Sequence, residues 1–293
     1  MSKNYLSVIS QALHYVSFSC KKPATRFDKA ALIFSIDVDV GSQRLGEKNG
    51  GKNNHNVHDY LSESVIGRVE EQAVPLLLQA FNDLGVPVTF ALRGQLAEVE
   101  NSIIALILRS PVKHDIGAHG YYHRTFTTLS RVEAEKELEM ISEGMKKFGI
   151  KPRSFVFPKN RVAHLSLLEK WGYLCFRAYG DLLRDGMFVK KCRNLYDVHP
   201  GLYLGKCSNP IFLNKIINIA VKYRAPLHVW FHPWDFGNSP KAVNMKIVKV
   251  LQPFLKHAKQ EQDNDTLEFE TMRSIAEKTA RARWQQCGNP LGF

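Results

Sequence analysis

Short apolar runs recur along this chain between stretches of helical periodicity, and that alternation constrains the fold more than any other feature. Runs at 32–36, 86–91, 112–117, 155–157, 173–176, 227–231 and 267–269 each suit one strand, since strands bounded by turn residues are usually short. Between them, apolar residues return at helical spacing. In 65–84, Val69, Ala73, Leu76, Leu77, Ala80, Phe81 and Leu84 share one face, and Gly85 closes the pattern. Pro75 lies inside it, so the firm helix is expected to start or kink there. Ser130 and Glu133 make a capping-box pair, opening a helix with Leu138, Ile141, Met145 and Phe148 on one side. Other helices are expected near 103–108, 162–171 and 212–223, and after Thr271. Strand and helix in this alternation predict an α/β fold with a parallel sheet and crossover helices. At 293 residues the leading geometry is a closed or partly closed (β/α) barrel. Its active site belongs at the C-terminal strand ends.

Composition removes several classes of function. A hydrophobic share of 44% with 23% charged residues excludes wholesale disorder. No run approaches the ~20 apolar residues of a membrane-spanning helix. The segment 5–20 is interrupted by Ser7, Ser10, Gln11, His14, Ser17 and Ser19, unlike the apolar core of a secretion signal. It reads as an amphipathic helix using Leu6, Ile9, Leu13 and Val16, with a cytoplasmic location as the expectation. The 5 cysteines are scattered and indicate neither a disulfide framework nor a cysteine zinc site. The net charge of +12 favours anionic partners. Dispersed lysines without a recognition motif argue against direct nucleic-acid binding. The Gly-, Asn- and Lys-rich tract 46–60 is expected to be a loop. The chain is expected to divide into an extension (1–30), one main domain (31–282) and a tail (283–293).

Three clusters carry chemistry. Asp37 and Asp39 end the first strand, and the i, i+2 spacing aims both carboxylates to one side. They repel unless a cation or a shared proton relieves them. His119 and His123 follow a short strand at i, i+4, a spacing that puts both imidazoles on one side of a helical turn, as metal binding needs. No Glu follows His119, so the H-E-x-x-H metalloprotease pattern is absent. His228, Trp230 and His232 share one face of a strand ending before Pro233. His228 reads as a core histidine and His232 as the one placed for chemistry.

Taken in order, Asp37-Val-Asp39, His119-Gly-Tyr-Tyr-His123, Phe155-Val-Phe-Pro-Lys-Asn-Arg161 and Trp230-Phe-His232 resemble the motifs of the polysaccharide deacetylase family. That is carbohydrate esterase family 4, the NodB homology domain. The resemblance spans about 32–276 and implies a single-domain distorted (β/α) barrel that removes an N-acetyl group. It implies that Asp39, His119 and His123 hold one divalent metal, usually zinc in that family. It implies Asp37 as general base and His232 as general acid. The family's third motif carries an arginine two residues before its proline, and here that position is Val156. Lys159 or Arg161 is expected to supply the charge that orients the base. Asp197 and Trp234 are the candidates for the pocket-lining fourth motif. His55 and His58 in the 46–60 tract are within possible reach of the site. The expected substrate is an N-acetylated sugar or sugar-linked intermediate of surface glycan synthesis. Two alternatives are a hydrolase of another small amide and a silent glycan-binding protein on the same scaffold.

Overall fold

The computed structural model describes residues 26–38, 72–99, 102–178, 186–237 and 239–286. The N-terminal segment, Asp39, the 46–60 tract and its histidines His55 and His58 lie outside the described residues. Strand β1, Ala30–Val38, is buried along its whole length and organises the sheet. One edge pairs in parallel with β9 (Pro226–Phe231). The other edge is shared: Ala30–Ile33 pair with β10 (Leu267–Glu270), and Ser35–Val38 with β2 (Thr89–Leu92). From β2 the parallel sheet continues through β3 (Asp115–Ala118), β4 (Ser154–Val156) and β5 (Cys175–Arg177) to β7 (Leu195–Val198). The antiparallel β6 (Val189–Cys192) extends one edge, and the short β8 (Leu202–Tyr203) the other. Every expected strand is present, some shifted C-terminally. Val86 and Val88 are buried ahead of β2 because the Val86 N–H first closes onto the Phe81 carbonyl. The β6–β7 hairpin and β8 were not expected.

Helices lie where the apolar period places them. Helix α1 (Val74–Asn82) has Pro75 in its first turn, where a missing N–H costs nothing. Helix α2 is Ser102–Leu108. Helix α3 (Arg131–Lys146) opens with both halves of the Ser130–Glu133 capping box formed. Helices α4 (Leu165–Lys170) and α5 (Pro210–Tyr223) follow. An unanticipated arm then runs through α6 (Pro240–Lys246), a π turn (Ile247–Leu251) and α7 (Gln252–Asp263). Helix α8 is Met272–Gln286. No described helix is long and apolar enough to cross a membrane.

The sheet curls into a partial barrel. Arg177 on β5 touches Asp37 on β1 although three strands lie between them. In a flat sheet that separation is about 19 Å, beyond any side chain. Alternation along β1 then sorts its residues. Leu32, Phe34 and Ile36 join the large core under the helices, while Ala31 and Ile33 face inward with Val156, Val198 and the α8 residues Met272 and Ile275. Helix α8 thus plugs the lower barrel with apolar groups. Ser35 and Asp37, next on the same inward face, stand above that plug at the C-terminal strand ends.

Candidate active site

Asp37 is 2% exposed and still charged. Burial alone would raise its carboxyl pKa, but the Arg177 guanidinium, aided by His119, outweighs that and holds it below the ordinary carboxylate value. Arg177 grips both oxygens: Nη1 donates to Oδ1 at 2.8 Å and Nη2 donates to Oδ2. The guanidinium is itself fixed on three sides. Nη1 also donates to Ser35 Oγ at 2.8 Å, Nη2 to Asn160 Oδ1 at 3.3 Å, and the Trp230 ring centroid lies 4.5 Å from its carbon. Asn160 reaches inward because Lys159 and Asn160 both adopt left-handed backbone, with φ of 53° and 54°. Lys159 and Arg161 themselves are exposed. The expected orienting charge therefore comes from neither, and Arg177 supplies it from the next strand.

His119 and His123 come together, with ring centroids 4.8 Å apart. The chain between them is not the helical turn their spacing suggested. Gly120 at φ 68° and His123 at φ 58° are left-handed, which a helix forbids, and the pair meets across a tight bend instead. At Gly120 a Cβ would also crowd Pro158 Cγ at 3.0 Å. The bend is clamped by buried Glu137 of α3, which accepts the Tyr121 N–H at 2.9 Å and Arg124 Nε at 2.6 Å. His119 Nδ1 donates to the Val156 carbonyl at 2.8 Å. That bond fixes the tautomer and makes Nε2 the acceptor nitrogen, the usual outer-shell arrangement of a metal-ligating histidine. Nε2 lies 4.0 Å from Asp37 Oδ2. Among the described residues no group of three metal-ligating side chains forms. The two histidines suit a divalent cation, and the third expected ligand, Asp39, lies outside the described residues.

His232 ends β9 with Nε2 at 3.9 Å from Asp37 Oδ2, across from His119. Its backbone N–H and Nδ1 both point to Asp235 Oδ2, at 2.7 and 3.3 Å. Asp235 is held in turn by the Tyr203 hydroxyl at 2.6 Å. Burial would raise the Asp235 pKa, but hydrogen bonds from His232 and Tyr203 bring it below the ordinary value. At Gly205 a Cβ would collide with the Tyr203 ring and lie 2.7 Å from Asp235 Cγ, so a side chain there would have to push this pair aside. Trp234 stacks on the His232 ring at 4.7 Å, so it shapes the imidazole's position. His228 is 1% exposed. Its Nδ1 donates to the Val198 carbonyl at 3.0 Å, and Nε2 accepts from Ser35 Oγ at 2.8 Å. Burial, with nearby Arg177, depresses its pKa to about 3, so it is neutral and structural. Asp197, the other fourth-motif candidate, lies on β7; the carboxylate beside His232 is Asp235.

Asp37, Arg177, His119, His123 and His232 thus converge at the strand ends of a curled sheet. Residues 65–175 match the family model described as polysaccharide deacetylase. That stretch includes both histidines of the bend, while Asp37, Arg177 and His232 come from strands β1, β5 and β9. A Mycobacterium smegmatis protein assigned to the polysaccharide deacetylases superposes with a TM-score of 0.69 at 19% identity, covering 93% of this chain and 97% of that one. A 4-alpha-glucanotransferase from Thermococcus litoralis gives 0.62 at 12% identity, over 86% of this chain and 41% of its own. A carbohydrate esterase family 4 pseudoenzyme from Bacillus anthracis gives 0.51 at 14%, over 85% and 66%. No curated relative matches the chain. At these identities the structural likeness concerns the fold alone, and the fold hosts more than one chemistry. Fold and site together define an α/β barrel of the polysaccharide deacetylase type. The family-model match covers residues 65–175 and agrees with the resemblance that the motifs carry.

Proposed function

We propose that this protein is a metal-dependent carbohydrate deacetylase that removes the N-acetyl group of an amino sugar. The favoured substrate is a sugar or sugar-linked intermediate of surface glycan synthesis. One observation carries the reading: the ionised Asp37 carboxylate stands between two imidazoles, 4.0 Å from His119 and 3.9 Å from His232. His119 and His123, with Asp39, would hold one divalent ion, zinc in this reading, supplying Lewis acidity toward water and the acetyl carbonyl.

The remaining work falls to the chain's own groups. Asp37 Oδ2, the oxygen nearest both imidazoles, takes the proton of the attacking water, and Arg177 keeps that carboxylate charged and aimed. Amines leave poorly unless protonated, so amide cleavage needs a second proton-transfer group. His232 Nε2 supplies that proton to the departing nitrogen. Asp235 orients the ring through Nδ1 and balances its positive charge. The second reading, a silent glycan-binding protein, is kept in view by the pseudoenzyme of similar fold. The test is acetate release from N-acetyl sugar nucleotides, lipid-linked sugars and oligosaccharides, after chelation and after zinc is restored. Zinc-dependent acetate release supports deacetylation. Glycan binding without release from any substrate would favour the silent reading.

A further inference from the structure

We propose that the outward face of the α6–π–α7 arm docks onto an anionic phospholipid bilayer. The arm's inner side is fixed to the body through buried Val243, Ile247, Leu251, Phe254 and Ala258. Its outer side presents Lys241, Met245, Val248, Lys249 and Lys256, all exposed. They return at three-, four- and seven-residue intervals and so share one face. Met245 and Val248 are 50% and 49% exposed, an apolar pair flanked by lysines. Lys241, Lys249 and Lys256 make no ion pair among the described residues. The arm's acids, Glu261 and Asp263, lie at its far end, where Asp263 pairs with Lys259 at 3.8 Å.

An ordinary solvated helix face mixes both signs of charge and keeps large apolar side chains inward. This face is cationic and partly apolar. Lysine ammonium groups attract anionic headgroups, and apolar side chains between them can enter the acyl boundary. A nucleic acid would use the lysines and have no use for Met245 or Val248. The net charge of +12 acts in the same direction. The arm also begins at the catalytic rim, since Lys246 Nζ donates to the Asp235 carbonyl at 2.7 Å. The inference stands on the surface alone and does not depend on the deacetylase reading.

The experiment is co-sedimentation of the full chain, without substrate, with phosphatidylcholine vesicles and with vesicles containing phosphatidylglycerol. Binding to the anionic vesicles, weakened by salt, is expected. Each of Lys241→Gln, Lys249→Gln and Lys256→Gln should weaken it about fivefold. The pair Met245→Ser and Val248→Ser should weaken binding most visibly at high salt, where the charges are screened. All five positions are exposed, and circular dichroism checks that the variants fold. Equal binding to both vesicle types, or binding indifferent to the lysine changes, overturns the proposal. So does tighter binding to an RNA duplex with vesicle binding insensitive to Met245 and Val248, which would make the arm a nucleic-acid face.

Discussion

Arg177 and Asp37 are 140 residues apart in sequence and form a two-point ion pair, with side chains only 1% and 3% exposed. A buried carboxylate is costly unless paired, and this one would be unpaired without β5. The pair therefore ties the barrel's closure to the charge state of the proposed base. Arg177→Met should lower stability by about 3–5 kcal/mol, because it strands a buried charge. It should also move the acid limb of activity to higher pH. Asp37 must be ionised to accept a proton, and without the guanidinium the upward pull of burial on its pKa is opposed only by His119 and His232. Arg177→Lys keeps the charge but not the fork, so the limb should partly return while turnover stays low. Thermal melts and pH–rate profiles of both variants are the check. An unmoved acid limb in Arg177→Met would show that Arg177 is only a structural brace.

Asp37→Asn separates the two acids of the first motif. It keeps the shape but removes the basic oxygen, so turnover should fall by ~10²–10⁴ while bound metal, measured by elemental analysis, is retained. If the metal leaves with the carboxylate, Asp37 is the ligand and the roles of Asp37 and Asp39 must be exchanged.

A pH dependence of stability follows from His228. Its folded pKa is about 3 against 6.5 for an ordinary histidine, so between those values the unfolded chain binds a proton that the folded chain refuses. Stability is then full above pH 6.5 and drains away as pH falls toward 3. The cost grows by about 1.4 kcal/mol per unit across the window. His114, depressed to about 4 by burial, adds to the same slope. Denaturant unfolding from pH 4 to 7 should show a shallower slope for His228→Gln than for the unaltered chain. Parallel slopes would place the acid sensitivity elsewhere.

Much of this arrangement was legible because short-range rules govern it. The alternation of apolar runs located the strands, Pro75 and the Ser130–Glu133 box located helix starts, and strand-end spacing singled out the acids and histidines. Long-range placement was not legible. Nothing local in Cys175-Phe-Arg177 says that the arginine will face Asp37, because that depends on how far the sheet curls. Lys159 and Arg161 lie within the third motif, yet left-handed backbone at Lys159 and Asn160 sends the asparagine inward and leaves both cations in solvent. Asp235 had a local signal that went unused. An acid three residues after a strand-ending histidine and Pro233 can cap the turn and hold the ring, and it does both.

That last contact leads to the sharpest demand on the chemistry. His232 must carry a proton when the amine departs, and Asp235, kept ionised by its hydrogen bonds, balances the charge. His232→Ala should therefore slow amide cleavage far more than cleavage of an activated ester, whose leaving group needs no proton. The alkaline limb of the pH profile should vanish with it. Asp235→Asn keeps the ring present but removes the balancing charge. Its amide turnover should fall while the ester is nearly spared, and its alkaline limb should shift to lower pH as the imidazolium loses its partner. Tyr203→Phe, one contact further out, should show the same pattern in weaker form. Equal losses on amide and ester in His232→Ala would make His232 a structural residue. Since His228 is locked neutral between Ser35 and the Val198 carbonyl, the proton would then have to come from a group outside this cluster.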